Sequence, residues 1–361
     1  MSLDNLRRDI DAIDEKIVHL LAKRLKISGR IGQEKKAGGR PVQDRNREAV
    51  VLEHVRTIAD REGISPDEVS RLYEMVIAAS SGMQGIEVAF QGEAGAYSEQ
   101  AALDFFGQFV VTRPCPGLDE VFKLVQEGRL SYGMVPVENS LEGSVTRSYD
   151  LLLDCDVRVC GELELRISHC LIANKGARRA SIKRVYSHPQ ALAQCQGFLR
   201  KSGYEQVAAA DTAGSVNMIK QTKLMDSSAI ASARAAGIYG MKILASGIED
   251  NERNYTRFLV LSHQDAAPTG NDKTSVVFML KHRPGTLYEA LRGFSSNRIN
   301  LTRIESRPTR LQPWEYNFYV DFEGHRQEEH VKSALAGLEE VSLFLKVLGS
   351  YPRAKLVRGG V

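Results

Sequence analysis

Arg24 and Lys35 are eleven residues apart. On a continuous helix that spacing returns to within about 20° of the same face, so both cations would point one way. Asp44, Arg47 and Glu48 are i, i+3 and i+4 neighbours on a second helical stretch, and Ser80 and Gln84 repeat the i, i+4 relation on a third. Clusters of this kind could hold a small dianion, because a guanidinium grips a carboxylate through two parallel N–H bonds. Arg7 lies on another face, roughly 25 Å from Arg24 along the axis, so a second protomer would have to supply it to the same ligand. The plain alternative is that these side chains form solvated faces, as Lys and Arg on amphipathic helices usually do. A basic helix for nucleic acid is another, since Lys23, Arg24, Lys26, Arg30, Lys35 and Lys36 are close together, but no aromatic residues interleave them. Arg24 argues against the solvated face, because it interrupts an apolar seam where a guanidinium is costly unless it meets an anion.

Further polar residues cluster downstream. Gly92-Glu93-Ala94-Gly95-Ala96-Tyr97-Ser98, Pro136-Val137-Glu138-Asn139-Ser140-Leu141-Glu142-Gly143, Ser187-His188-Pro189-Gln190 and Asp211-Thr212-Ala213-Gly214-Ser215 read as strand-to-helix junctions. Helix N-termini there would present N–H groups to an anion. The GxxG of the first is not a P-loop, because no Gly-Lys-Ser/Thr follows. His188 before Pro189 fits a catalytic role or a structural turn. The sharpest motif is Ile248-Glu249-Asp250, Asn254 and Thr256-Arg257-Phe258. Last come Arg283-Pro284-Gly285-Thr286-Leu287 and Glu305-Ser306-Arg307-Pro308. Gly285 at a helix start would let a carboxylate approach the backbone closely, or would simply cap the helix.

The elements that must carry these residues follow from periodicity. Leu3, Leu6, Ile10, Ile13, Ile17, Leu20, Ile27 and Ile31 recur at the spacing of a long helix. Gly38, Gly39 and Pro41 break it, and a second amphipathic stretch runs over about 44–61. A third helix opens with Ser65 as N-cap, Pro66 at the first helical position and Glu68 as capping-box partner. Beyond Gly85, short β-rich runs at 87–91, 133–137, 170–173, 185–187 and 228–232 alternate with helical ones, which implies an α/β region. The polar stretch 263–273 reads as a linker. After it, strand 274–281, helix 285–296, strands 301–307 and 316–322, helix 327–337 and strand 342–349 spell βαββαβ, the ferredoxin-like order. The expected domains are 1–85, 86–264 and 274–352, with 265–273 between the last two. A chain of 361 residues accommodates them, since one core serves about 150.

Composition excludes several classes. With 43% hydrophobic and 26% charged residues the chain should fold throughout. Its 48 basic residues against 45 acidic give a net charge of +3, too small a field to favour nucleic acid or an anionic membrane. The five cysteines form no CxxC pair and read as reduced, buried thiols. No apolar run is long enough to span a bilayer, and a cytoplasmic location is expected.

The run Leu6-Arg7, Asp14-Glu15-Lys16, Leu20-Leu21-Ala22-Lys23-Arg24, Gly32, Lys35, Pro41-Val42, Asp44, Arg47-Glu48, Ser80 and Gln84 closely resembles the all-helical chorismate mutase family. That resemblance implies that Arg7 from a second chain, Arg24 and Arg47 bind the two carboxylates of chorismate. It further implies that Lys35 and Gln84 face the ether oxygen, that Asp44 and Glu48 handle the hydroxyl end, and that Ser80 contacts a carboxylate. A pericyclic rearrangement needs no nucleophile, only a clamp for the reactive conformer and donors where charge develops. The downstream motifs together resemble prephenate dehydratase over about 86–264, a fold like two-lobed periplasmic binding proteins with the ligand between lobes. Thr256 is then the general acid on the departing ring hydroxyl as CO₂ is lost, while Arg257, Ser187, Gln194, Glu138 and Asn139 position prephenate. A neutral hydroxyl is a weak acid and must work by positioning, with aromatisation as driving force. Ala96 stands where the family often has Thr. The final motifs resemble the ACT domain attached to prephenate dehydratases, which implies L-phenylalanine bound between two paired domains by Gly285, Leu287, Glu305, Ser306, Arg307 and Pro308. Thr286 replaces the usual Ala of that motif.

The order of the three resembles the bifunctional mutase/dehydratase family of phenylalanine synthesis. It implies an all-α module, a two-lobed α/β domain and an α+β ferredoxin-like ACT domain, with feedback inhibition by L-phenylalanine. The expected partners are chorismate, prephenate, L-phenylalanine and a second copy in a homodimer or higher homo-oligomer, with no nucleic acid and no membrane. No metal or organic cofactor is expected, since neither step is redox and no metal-ligand cluster is present in the sequence. Two rivals remain open: a non-enzymatic sensor of amino acids, and a monofunctional dehydratase whose helical part serves only dimerisation.

Overall fold

The computed structural model describes residues 2–37, 45–309, 314–354 and 356–357. The chain divides into a helical unit, Met1–Val88 with Ala102–Thr112, and a larger unit, Ala89–Ala101 with Arg113–Val361. The helical unit holds α1 (Leu3–Ala37), α2 (Arg45–Arg61) and α3 (Pro66–Met83). The Glu68 N–H donates to the Ser65 hydroxyl at 3.4 Å and Pro66 opens α3, as the sequence expects. Both α1 and α2 pack on α3. Gly32 permits the approach of α1, since a Cβ there would come within 2.8 Å of the Gln84 Cα. The α1 seam residues Leu3, Leu6, Ile10, Ile13, Ile17, Leu20, Ile27 and Ile31 are 45% to 63% exposed. No helix among the described residues is long and apolar enough to cross a membrane.

The α/β elements follow as β1 (Glu87–Gln91), α4 (Tyr97–Phe106), β2 (Val111–Cys115), α5 (Leu118–Gln126), β3 (Tyr132–Asn139), β4 (Gly143–Ser144), α6 (Thr146–Asp154) and β5 (Arg158–Arg166). Then come β6 (Cys170–Ala173), β7 (Arg184–Ser187), α7 (Pro189–Ala193), α8 (Gln196–Ser202), β8 (Glu205–Ala208), α9 (Thr212–Thr222), β9 (Ser227–Ala231), α10 (Ala233–Tyr239), β10 (Lys242–Ser246) and β11 (Tyr255–Ser262). The C-terminal elements are β12 (Asp272–Leu280), α11 (Thr286–Ser296), β13 (Leu301–Pro308), β14 (Tyr316–Glu323), α12 (Glu329–Val341), β15 (Ser342–Pro352) and β16 (Leu356–Val357). Two separate sheets make the two lobes, ordered β16-β5-β11-β3-β1-β2 (with β4 on β3) and β10-β6-β9-β7-β8. In the first, β11 lies between β3 and β5 and puts Thr256 opposite Asn139 and Arg257 opposite Glu138.

The ACT-like segment forms the sheet β13-β14-β12-β15, the ferredoxin-like order. Its strand β12 is buried along nearly its whole length because both faces are covered, and its apolar residues run from Val276 to Leu280. Val276 and Phe278 join the core beneath α11 and α12, while Val277 joins the core of the first lobe with Tyr319, Leu348 and Tyr351. The strand starts at Asp272, two residues before the expected Thr274, because Lys273 is held in the sheet by Glu162 at 2.9 Å. Asp272 meanwhile accepts the N–H groups of Thr269 and Gly270 and closes the turn ahead of it.

Candidate active sites

In the helical unit a cavity of about 540 Å³ brings together Arg24, Lys35, Arg47, Glu48, Ser80 and Gln84. Arg24 donates to the Ser80 hydroxyl, whose own proton goes to the Val76 carbonyl at 2.7 Å. Ser80 therefore fixes the guanidinium rather than competing with a ligand for it. With Lys23 also on the wall, cations outnumber Glu48 and the cavity suits a dianion. Arg7 is absent from this lining: it is exposed and paired with Asp4 at 3.7 Å. Asp44 lies outside the described residues.

The larger unit holds a cleft of about 590 Å³ whose wall includes Asn139, Arg147, His169, Gln190, Gln194 and Thr256. Helix starts surround it, among them Tyr97 and Ser98 of α4, Leu118 and Asp119 of α5 and Thr212 of α9. Their N–H groups and dipoles favour an anion in the cleft. The Asn139 amide donates to the Thr256 hydroxyl at 3.0 Å, to the Asn254 side-chain oxygen at 2.8 Å and to the Tyr255 carbonyl at 3.1 Å.

Three residues expected here lie elsewhere. Arg257 donates to Glu162 at 2.8 Å, to Asp321 at 2.5 Å and to the Tyr351 hydroxyl at 3.0 Å, on the opposite side of β11 from Thr256. Glu138 is likewise turned from the cleft and pairs with Arg303 at 3.2 Å. Side chains alternate along a strand, so the neighbours of Thr256 and Asn139 must face away from them. Ser187 is fully buried and donates to the Ile230 carbonyl at 2.7 Å, tying the ends of β7 and β9. His188 does line the cleft, with its Nδ1 accepting the Gln190 N–H at 3.3 Å as cap of α7.

A third cavity, of about 410 Å³, contains Gly285, Leu287, Tyr288, Tyr316 and Phe318. Gly285 has φ +86, and no side chain caps α11 behind it, so the helix start is open to a carboxylate. Thr286 does not fill this space, because its hydroxyl donates back to the Lys281 and Arg283 carbonyls, each at 3.0 Å. The Glu305 to Pro308 motif is not brought to the same cavity. Glu305 accepts from the Ser144 hydroxyl, and Arg307 donates to Thr146 at 3.2 Å and pairs with Asp150 at 3.6 Å. Ser306 and Pro308 occupy the other, exposed face of the edge strand β13.

The family model for chorismate mutase type II matches residues 6–85, that for prephenate dehydratase 88–266 and that for the ACT domain 274–340. The bifunctional chorismate mutase/prephenate dehydratase of Aquifex aeolicus is 40% identical, over 98% of this chain and 99% of its own. The chain belongs to the bifunctional chorismate mutase/prephenate dehydratase family. As a bifunctional mutase/dehydratase it rearranges chorismate to prephenate and converts prephenate to phenylpyruvate. Among solved structures, the prephenate dehydratase of Arthrobacter aurescens in complex with L-Phe is 33% identical, with a TM-score of 0.69 over 74% of this chain and 90% of its own. A structure described as a novel type of quorum quenching acylase is 34% identical, with a TM-score of 0.68 over 74% of this chain and 97% of its own. One fold carries both descriptions, so the dehydratase chemistry has to be argued from side chains. In this mutase/dehydratase the cleft residues that the sequence motifs do not mark include Arg147 and His169. Arg147 opens α6 beside Asp119, to which it donates, and His169 precedes β6. Neither belongs to a recurring spacing, and only the strand-to-helix position of Arg147 offered a signal.

Proposed function

We propose that the helical cavity is the mutase site and the cleft beside Thr256 the dehydratase site. The convergence of Arg24, Lys35, Arg47, Glu48, Ser80 and Gln84 on one cavity carries the first assignment. Arg24 and Arg47 hold the two carboxylates, Lys35 and Gln84 donate to the ether oxygen as the C–O bond breaks, and Glu48 takes the hydroxyl end. Because these donors meet charge that grows in the transition state, they lower the barrier rather than merely bind. Arg7 completes the clamp from a second copy, in a homodimer or a higher homo-oligomer. The uncovered apolar seam of α1, which carries Arg7 at its far end, supports that pairing. Arg24→Ala and Arg7→Ala should each lower the mutase rate by about a hundredfold or more. Mixing the two variants should restore part of it, because some mixed dimers hold one intact clamp. Full activity in either variant, or no recovery on mixing, would reject the shared site.

In the cleft, Thr256 donates to the departing hydroxyl of prephenate while Asn139 and Gln194 orient it, and the helix starts hold its carboxylates. The domains are 1–85, 86–264 and 274–352, with 265–273 as linker, and the enzyme works in the cytoplasm. L-Phenylalanine binds at the α11 turn, with its carboxylate on the open helix start at Gly285 and its ring against Leu287. The exposed face of β13, with Ser306 and Pro308, is completed by a second ACT domain. Glu305 and Arg307 relay occupancy to the first lobe through Ser144, Thr146 and Asp150. Gly285→Val, strained at φ +86, should abolish the inhibition of phenylpyruvate formation by added L-phenylalanine. A titration that still inhibits at wild-type concentrations would show that the effector sits elsewhere.

A further inference from the structure

A chain of side-chain hydrogen bonds runs along the cleft from Asn139 to Tyr97, and its polarity can be deduced link by link. The Asn139 side-chain oxygen accepts two backbone N–H groups, from Leu141 at 3.0 Å and Glu142 at 3.1 Å. Backbone N–H groups only donate, so the Asn139 NH₂ must be the end that faces Asn254. Asn254 therefore presents its oxygen to Asn139 and its own NH₂ to Gln194, at 2.8 and 2.9 Å. Gln194 must in turn present its oxygen to Asn254. That same oxygen lies 3.0 Å from the His169 Nε2. The Nε2 has to carry a proton, because a bare nitrogen would set two lone pairs against each other.

At the other side of the ring, the Tyr97 hydroxyl is 2.9 Å from Nδ1 and 2.7 Å from the Ser168 carbonyl. Burial pushes the His169 imidazole below its usual pKa, against the opposite pull of Gln194 and Glu249, so the ring is neutral at pH 7. In the neutral ring Nδ1 is bare, and the single Tyr97 proton is shared between the Ser168 carbonyl and Nδ1. With its oxygen committed twice, Gln194 keeps both N–H donors of its NH₂, and no described residue accepts from them.

We propose that His169 is a positioning residue of the dehydratase step: its Nε2–H locks the Gln194 amide so that the NH₂ faces a carboxylate of prephenate. The inference rests on the reading of this cleft as the dehydratase site. Without the Nε2 donor the Gln194 amide is free to turn its oxygen toward the substrate, and a donor pair becomes a repulsive acceptor. His169 acts on prephenate through Gln194, so binding suffers more than turnover.

The test uses full-length His169→Gln and His169→Asn. A Gln amide nitrogen takes the place of Nε2, whereas an Asn amide nitrogen takes that of Nδ1. His169→Asn should raise the KM for prephenate about tenfold, the effect of losing one hydrogen bond to a charged group, with a smaller change in kcat. His169→Gln should stay near the wild-type KM. An unchanged KM in the Asn variant, or an equal loss in both variants, overturns the proposal, since packing alone would not tell the two apart. Should the Asn variant not fold, nitrogen NMR of the histidine-labelled wild type decides, as a ring protonated at Nδ1 rather than Nε2 at neutral pH overturns it equally. Thr256→Val is the control for the cleft itself: if it forms phenylpyruvate at the wild-type rate, the site reading fails, whatever His169 does.

Discussion

Thr256→Val should lower the kcat for phenylpyruvate formation by about 10²- to 10⁴-fold, the range for losing a positioned general acid, while chorismate consumption continues at the wild-type rate. The direction of the Thr256 proton makes the expectation specific. Its oxygen accepts from the Asn139 amide at 3.0 Å, and Asn139 cannot rotate, because its own oxygen is held by two backbone N–H groups. The hydroxyl proton must then point away from Asn139, and Thr256 lines the cleft. As the ring hydroxyl leaves, negative charge grows on the Thr256 oxygen, and a fixed donor already in place stabilises it without reorganisation. Valine keeps the shape and β-branching of threonine, so the strand and its packing survive and the loss is chemical. Assay with prephenate and with chorismate as separate substrates isolates the step. A variant that retains a tenth of its dehydratase rate would remove Thr256 from the chemistry.

How much of this was legible in the sequence depended on period. The mutase residues repeat at helical spacing within one stretch, so Arg24 and Lys35 could be put on one face by arithmetic, and the structure has both on one cavity wall. The dehydratase motifs are contiguous blocks in the sequence, and a strand does not use a block on one side. Glu138-Asn139 on β3 and Thr256-Arg257 on β11 are cross-strand partners, with Asn139 and Thr256 meeting at the cleft and the other two turned to the ACT sheet. The pleat that separates them was inferable in principle; the covering of that second face by another sheet was not. His169 shows the opposite limit. Its role comes from contacts with Tyr97 and Gln194, 72 and 25 residues away, which no local pattern records.

Arg257→Met should destabilise the larger unit by about 3–5 kcal/mol, the usual consequence of removing one partner from a buried ion pair. The loss is large because the arginine serves two carboxylates. Glu162 and Asp321 have side-chain exposures of 0% and 7%, and Arg257 and Lys273 are the cations in direct ion pairs with them. Glu162 keeps Lys273 in the variant, but Asp321 is left chiefly with the Ser275 hydroxyl. The pH dependence carries the sign. In the wild type, burial would raise the Asp321 pKa, yet Arg257, Ser275 and Arg303 hold it below the usual carboxylate value. Its contribution is thus full above about pH 4 and is lost as the pH falls through the depressed value. In the Met variant burial faces less opposition and the Asp321 pKa rises, so acid relieves the strain instead of creating it. The difference in thermal midpoint between wild type and variant should be largest near neutral pH and narrow toward pH 4, whereas a substrate-binding arginine would leave that midpoint nearly unchanged. Because the same side chain links the strand of Thr256 to β14 and β15, the folded fraction of the variant should also respond less to L-phenylalanine. Unaltered stability with a raised KM for prephenate would return Arg257 to the cleft.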